Sequence, residues 1–306
     1  MFKTCLTFIV CVAFSSWMGT ARAADKADQQ PAASGMSTEQ FLASLTFQKG
    51  KITLPGEIAT LDLPDGFRYL APADAERVLV DAWGNPPGMT SLGMILPANV
   101  SPVSPASWGV IVTYDKDGHV KDDDADSIKY DELLKEMQDS VKDHNAERKK
   151  RGYPNMNLVG WAEKPSYDKA SHKLYWAKEL GVDGDQVHSL NYNVRVLGRE
   201  GVLVLNAVAG MHQIAEIKGE MRRVTAFTDF VPGKRYADFN GTTDKLAEYG
   251  IAALVAGGAA AKLGLFGKLF ALLLAFKKIV LVALVAAGGS IMKLFGRKPK
   301  VNLDKD

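Results

Sequence analysis

The chain has 306 residues, of which 47% are hydrophobic and 24% are charged. That is enough apolar material for the core of one large or two ordinary domains, and it excludes a disordered or collagen-like chain. The 37 Lys and Arg residues nearly balance the 35 Asp and Glu residues, for a net charge of +2. A small net charge over the whole chain can still combine an acidic region with a basic one.

The N-terminus has the parts of a secretory signal peptide. A basic start is followed by a short apolar run, residues 5–18, and then by the small-x-small site Ala21-Arg22-Ala23. We predict a signal peptide over residues 1–23, cleaved between Ala23 and Ala24. An uncleaved anchor is the alternative, but polar residues end the apolar run too early for a membrane span.

The mature chain is predicted to contain no thiol, because Cys5 and Cys11 both lie in the signal peptide. A thiol-free chain suits an oxidising compartment, and it excludes a cysteine nucleophile, a disulfide and cysteine-ligated zinc. Residues 24–36 are polar and low in bulky side chains, so we expect them to form a flexible leader.

From Gly250 onward acidic residues vanish until the last few positions, and Ala, Leu, Val and Gly dominate. The stretch from Leu269 to Met292 is about 36 Å long as a helix, and only Lys277 and Lys278 interrupt it. A lysine at the centre of a membrane helix costs about 2.5–3.5 kcal/mol. The surrounding apolar residues offset that cost, and we predict a transmembrane helix here.

The flanking segments set the predicted topology. Residues 293–306 are basic, so the positive-inside rule places them in the cytoplasm and the preceding domain, residues 37–249, in the periplasm of a bacterial inner-membrane protein. Residues 250–268 are rich in glycine, and the sequence allows three assignments for them. They form an interfacial helix, a second membrane span, or a helix that packs against a copy of itself. A buried hairpin of a soluble protein is a further alternative, which its lysines disfavour.

The two parts of the predicted mature chain have opposite charge. Residues 250–306 contain nine basic and two acidic residues, a net charge of +7, whereas residues 24–249 contain 26 basic and 33 acidic residues, a net charge of −7. The sequence therefore predicts an acidic exported domain on a basic membrane anchor.

Strand patterns joined by turns alternate with a few helices in the exported domain, which predicts an α+β fold with an antiparallel sheet and packed helices, followed by the transmembrane helical anchor. A capping box at Ser37 and Gln40 marks the first helix. Hairpin turns are predicted at residues 115–118 and 198–201. The predicted helices are 38–45, 71–83, 130–151 and 212–223, and the predicted strands are 51–54, 58–63, 67–70, 92–96, 108–114, 158–162, 174–178, 189–197, 202–208 and 224–230.

A cluster of aspartates covers the predicted turn at residues 115–118 and the residues that follow it. Clustered carboxylates are the ligands that Ca²⁺ prefers, and the candidate ligands are Asp115, Asp117, Asp122 and Asp124. The full EF-hand pattern is absent. We therefore favour a solvated hairpin turn followed by the acidic start of a helix, and we predict no cofactor.

The other polar residues do not form a known catalytic motif. The five histidines, His119, His144, His172, His188 and His212, lack the spacing of a helical zinc site and are expected on the surface. Asn191, Tyr192, Asn193, Arg195 and Arg199, with Tyr236 and Asp238, form either a polar groove or, as we favour, the outward face of a strand. The basic run at residues 147–151 lacks interleaved aromatic residues, so nucleic-acid binding is not expected.

Several motifs in order along the chain resemble a family of bacterial predicted membrane-anchored proteins of unknown function, over roughly residues 50–295. The resemblance implies export and membrane anchoring but no assigned activity. The final helix and strand are also similar to the PsbP-like α/β fold, an analogy from which no function is transferred. The motifs that carry the family resemblance are residues 59–67, 83–87, 120–125, 151–154, 191–193, 197–201, 232–239 and 249–262.

The leading hypothesis is a non-enzymatic envelope protein with a periplasmic binding domain. Its expected partners are the lipid bilayer and either a second copy or another envelope protein. One alternative is a hydrolase or other enzyme with an unrecognised site, built on His188 and nearby acids. Another is a membrane-assembly or stress factor that acts through its Gly/Ala-rich anchor.

Overall fold

The computed structural model of the chain describes residues 36–85, 87–150 and 152–257. All of these residues belong to the first of two compact units, which ends at Gly257. Within the described ranges, no helix has both the length and the apolar character needed to cross a bilayer. The predicted signal peptide and the predicted transmembrane helix lie outside the described residues.

The elements follow the predicted order closely. The helices are α1 (Thr38–Ala43), α2 (Pro72–Arg77), α3 (Tyr130–Lys150), α4 (Ile214–Ala226) and α5 (Ile251–Ala256). Helix α2 continues as a π-helical turn, Val78–Ala82, and short 3₁₀ turns cover Ala125–Ser127, Met211–Gln213 and Tyr236–Asp238. The strands are β1 (Phe47–Gln48), β2 (Gly50–Thr53), β3 (Ala59–Leu63), β4 (Phe67–Leu70), β5 (Gly93–Pro97), β6 (Gly109–Asp115), β7 (Met156–Asp168), β8 (Lys173–Val182), β9 (Ser189–Leu197), β10 (Val202–Gly210) and β11 (Thr228–Phe230).

An eight-stranded sheet in the order β1-β4-β5-β6-β10-β9-β8-β7 dominates the domain, and each of its neighbouring strand pairs is antiparallel. A second sheet contains three strands in the order β11-β3-β2. The large antiparallel sheet with its helices confirms the α+β prediction.

Alternate residues of β10 show how the two faces of the large sheet are covered. Leu203, Leu205 and Ala207 belong to a core formed with α4 and the small sheet. On the opposite face, Val208 packs in a cluster with α1 and α2, and Val202 packs in a separate cluster with α3 and α5. The sheet is therefore buried on both faces, and the second face has two apolar clusters at its two sides.

Strand β7 lies at the edge of the sheet, and α3 covers its polar backbone. Asn145 donates to the carbonyl oxygen of Met156 at 2.9 Å and accepts from the Met156 amide at 2.8 Å. Gln138 donates to the carbonyl oxygens of Leu158 and Val159 at 3.1 and 3.2 Å. Amide side chains from a helix thus take the place of a further strand at this edge.

The predicted hairpin at residues 115–118 is wrong. Strand β6 pairs with β5 and β10, with Asp115 opposite Val202. At Gly118, where φ is +113°, an added Cβ would lie only 2.7 Å from the carbonyl oxygen of Lys245. The turn therefore packs closely against the backbone of residues 245–247. No local pattern in the sequence indicates that these distant residues are its partner.

The predicted strand at residues 224–230 is too long, because α4 continues to Ala226 and only Thr228–Phe230 forms a strand. Val224 and Thr225 have the β-branched side chains typical of strands, but both are buried in the helix. Burial against the sheet overrides the local preference of these two residues.

Candidate functional site

One end of the large sheet brings together four separate parts of the chain. They are the acidic loop (residues 115–124), the turn between β7 and β8, the hairpin between β9 and β10, and a segment we call the strap (residues 231–250). The strap follows β11 and leads into α5. Most polar residues that the sequence singled out meet here.

The strap is paired with the acidic loop through its backbone. His119 donates from its backbone amide to the carbonyl oxygen of Lys245, and Ala247 donates to the carbonyl oxygen of His119, both at 2.8 Å. Arg199 adds a two-pronged ion pair with Asp244, at 2.6 and 2.9 Å. These hydrogen bonds and this ion pair fasten the strap to the sheet end, although the strap has little regular structure of its own.

Asp122 accepts hydrogen bonds from two tyrosines that come from different parts of the chain. Tyr167 donates to Oδ2 at 2.8 Å, and Tyr236 on the strap donates to Oδ1 at 3.3 Å and to the carbonyl oxygen of Val120 at 3.1 Å. Desolvation opposes ionisation of this carboxyl, but the two phenol hydrogen bonds, together with smaller effects of nearby groups, outweigh it and lower the pKa of Asp122. Asp122 is therefore an ionised anchor for both tyrosines.

Two further aspartates hold the end of the strap. Tyr249 donates to Oδ2 of Asp117 at 2.8 Å. Asp124 accepts from the backbone amide of Ile251 at 3.0 Å, so a carboxylate from the acidic loop caps the start of α5. These contacts join residues that are more than a hundred positions apart in the sequence.

Asp115, the remaining calcium candidate, lies beside Arg195. Burial raises the pKa of Asp115, although the nearby guanidinium acts in the opposite direction. Burial also lowers the pKa of Arg195 to about 10. In the part of the chain that the structure describes, no group of three or more His, Cys, Asp or Glu side chains could hold a metal ion.

Four aromatic rings form a column that ties the strap to the loop and the β7–β8 turn. The order is Phe239, His119, Tyr236 and His172, with successive centroids 4.0, 4.2 and 3.9 Å apart and interplanar angles of 17°, 32° and 25°. Aromatic ring contacts contribute about 0.5–1.5 kcal/mol per pair beyond the buried area. We call these four residues the ring column.

One of the two histidines of the ring column is not the surface residue that the sequence predicted. His119 is only 6% exposed, and burial lowers its pKa. His172 has a backbone φ of +52°, a conformation rare outside glycine, which places its Nδ1 3.2 Å from the Tyr167 hydroxyl. The surface prediction is therefore wrong for His119, because distant aromatic residues cover it, whereas the side chain of His172 is 31% exposed.

The predicted polar face of β9 is also buried. Asn191 and Asn193 are 6% and 4% exposed, and Asn193 donates to the carbonyl and side-chain oxygens of Asn191 at 3.0 and 2.8 Å. The prediction that they face solvent is wrong, because β9 lies within the sheet between the two apolar clusters of the second face. Within the described residues, Asn206 Oδ1 and Trp176 Nε1 in the same cross-strand row are buried without a hydrogen-bond partner.

His188 lies at the opposite end of the sheet, close to one acid. Its Nδ1 is 2.5 Å from Oε1 of Glu179, and its side chain is 44% exposed. Val159 and Val187 near this pair are exposed apolar side chains, at 45% and 49%. Gly181 leaves room for the imidazole, because an added Cβ there would lie 3.3 Å from His188 Nε2.

These observations define an α+β domain that fastens its own C-terminal strap to one end of a large sheet. The chain belongs to the family described as "Protein of unknown function (DUF2167)", whose family model matches residues 46–288. This match confirms the family resemblance in the sequence, and it assigns no activity. No curated protein matches the chain.

Two solved structures have a weak likeness to the chain. The solution structure of cyanobacterial PsbP (CyanoP) from Synechocystis sp. PCC 6803 is 11% identical, with a TM-score of 0.34, and the match covers 61% of this chain and 94% of that chain. The crystal structure of LpqN, involved in cell envelope biogenesis of Mycobacterium tuberculosis, is 13% identical, with a TM-score of 0.31 and coverage of 65% and 100%. At such TM-scores neither likeness carries an argument about this protein.

Two substitutions of Tyr236 separate the contribution of its ring from that of its hydroxyl. Tyr236→Phe keeps the ring column and should lower the free energy of unfolding by about 0.5–1.5 kcal/mol. Tyr236→Leu also removes two ring contacts and should lower it by about 2–4 kcal/mol. Chemical denaturation of the full chain in mild detergent, followed by tryptophan fluorescence, measures both. Equal losses in the two variants would show that the ring column contributes nothing.

Proposed function

We propose that the chain is an exported envelope protein, held at the bacterial inner membrane by a helix over residues 269–292, whose domain binds a protein partner. The observation that carries this proposal is the use of the acidic loop. Its carboxylates accept hydrogen bonds from Tyr236, Tyr249 and the start of α5. The polar cluster that most resembled a metal or catalytic site therefore has a structural use within the domain.

The sequence supports the location. A signal peptide and the absence of cysteine from the mature chain favour export. The family match continues to residue 288, so most of the predicted membrane helix belongs to the sequence that the family shares. The basic residues after it favour a cytoplasmic C-terminus.

The surface we propose for binding is the sheet end around His188. Exposed Val159 and Val187 lie there beside the His188–Glu179 pair. Apolar side chains with a polar rim are the usual composition of a protein contact. The strap covers the opposite end of the sheet, so the polar groups there bind the strap and not a partner.

Reporter fusions test the location. Alkaline phosphatase fused after Gly257 should be active, because that point is placed in the periplasm, and the same enzyme fused after Asp306 should be inactive. A reporter that works only in the cytoplasm should give the reverse pattern. Phosphatase activity after Asp306 would contradict the single membrane helix, and inactivity at both positions would contradict export.

Site-specific photo-crosslinking in cells tests the binding surface. A photo-reactive residue at Val159 or Val187 should give one discrete adduct, because both side chains point to solvent. The matched control is exposed Lys51 on β2, where no such adduct is expected. An adduct of twice the chain's mass would identify a second copy as the partner. The same adducts at Lys51, or none at the two valines, would reject this surface.

A further inference from the structure

The two histidines of the ring column have different surroundings. His172 lies at the end of the column, and its Nδ1 is 3.5 Å from Oδ2 of Asp122. A positive charge on His172 would therefore have a carboxylate partner. His119 lies inside the column between Phe239 and Tyr236 and is only 6% exposed.

Burial favours the neutral form of His119 over the charged form. Hydrogen bonds to the backbone of Gly198 and Arg199 and the charge of Asp122 favour the charged form, but burial outweighs them and His172 also opposes a positive charge there. Within the described residues, Nδ1 of His119 is buried without a hydrogen-bond partner. Aromatic faces attract a cation, but an N–H added at Nδ1 would lie in the ring plane and be buried without an acceptor in the closed column.

We propose that His119 is an acid-sensitive latch, whose protonation opens the ring column and frees the strap around Tyr236 and Phe239 while the sheet stays folded. The opening is local because other contacts flank it. The ion pair of Arg199 with Asp244 holds the middle of the strap, and the large sheet keeps its own hydrogen bonds. The latch is a property of the folded domain, so it goes beyond the proposed function and does not depend on it.

Acid pH destabilises the closed column relative to the open state. In the closed column burial lowers the pKa of His119, and in the open state the imidazole returns towards the ordinary value of about 6.5. The open state therefore binds the extra proton. The closed state is fully favoured above about pH 6.5 and loses stability as the pH falls below that value, until the closed state is also protonated.

Hydrogen exchange measured by mass spectrometry on the full chain in mild detergent tests the latch. Protection factors, corrected for intrinsic exchange rates, are compared between about pH 7.5 and about pH 5. Peptides that cover residues 232–240 should lose protection by up to about tenfold per pH unit below about pH 6.5. Peptides of the β9–β10 hairpin should stay constant.

Three variants show which histidine is responsible. His119→Phe keeps a ring in the column but cannot take up a proton, so the strap should keep its protection at acid pH. His172→Phe should keep the acid response of the wild type. His144→Phe, on the exposed surface of α3, is the matched control and should also respond like the wild type.

Several outcomes would overturn the latch. They are unchanged strap protection in the wild type, equal loss of protection in strap and hairpin, or an acid response that persists in His119→Phe. Stronger protection at acid pH would show that stacking on the aromatic faces outweighs the missing acceptor. If His119→Phe does not fold, NMR titration of the histidines decides: the pH at which His119 titrates must match the pH at which the strap opens.

Discussion

Hydrogen bonds from the strap to the carboxylates of the acidic loop organise one end of this fold. Asp122 accepts from Tyr236, Asp117 accepts from Tyr249, and Asp124 accepts from the backbone of α5. A hydrogen bond to a charged group contributes about 1.5–3 kcal/mol, and closely spaced carboxylates would repel one another without such donors. The loop and the strap therefore stabilise each other, and neither has regular structure that would hold it alone.

The placement of α5 depends on the same contacts. By capping its first turn, Asp124 places Ile251, Leu254 and Val255 in the apolar cluster with α3. Each of these three side chains is at most 1% exposed, so α5 completes the core at the β7–β8 side of the sheet. The packed core thus continues to the end of the described chain at Gly257, into the segment that the sequence singled out as hydrophobic.

Local patterns predicted the strands well and the sheet-end site poorly. The alternation that marked residues 189–197 matches β9, because a hairpin brings its partner strand within a few residues. The turn at residues 115–118 was mistaken for a hairpin, since its true partner is the strap. The ring column joins His119, His172 and Tyr236 across long stretches of chain, and no spacing in the sequence marks rings that meet only after folding. The sequence did indicate the acidic loop, but not that its carboxylates hold the strap.

The pair formed by Asp117 and Tyr249 tests most directly whether the acidic loop holds the strap, because one hydrogen bond of 2.8 Å joins them. The measurement is a double-mutant cycle with Asp117→Asn and Tyr249→Phe, in which the free energy of unfolding is determined for the wild type, both single variants and the double variant. A coupling energy of about 1–3 kcal/mol is expected. Strictly additive effects, with no coupling between the two positions, would contradict the account.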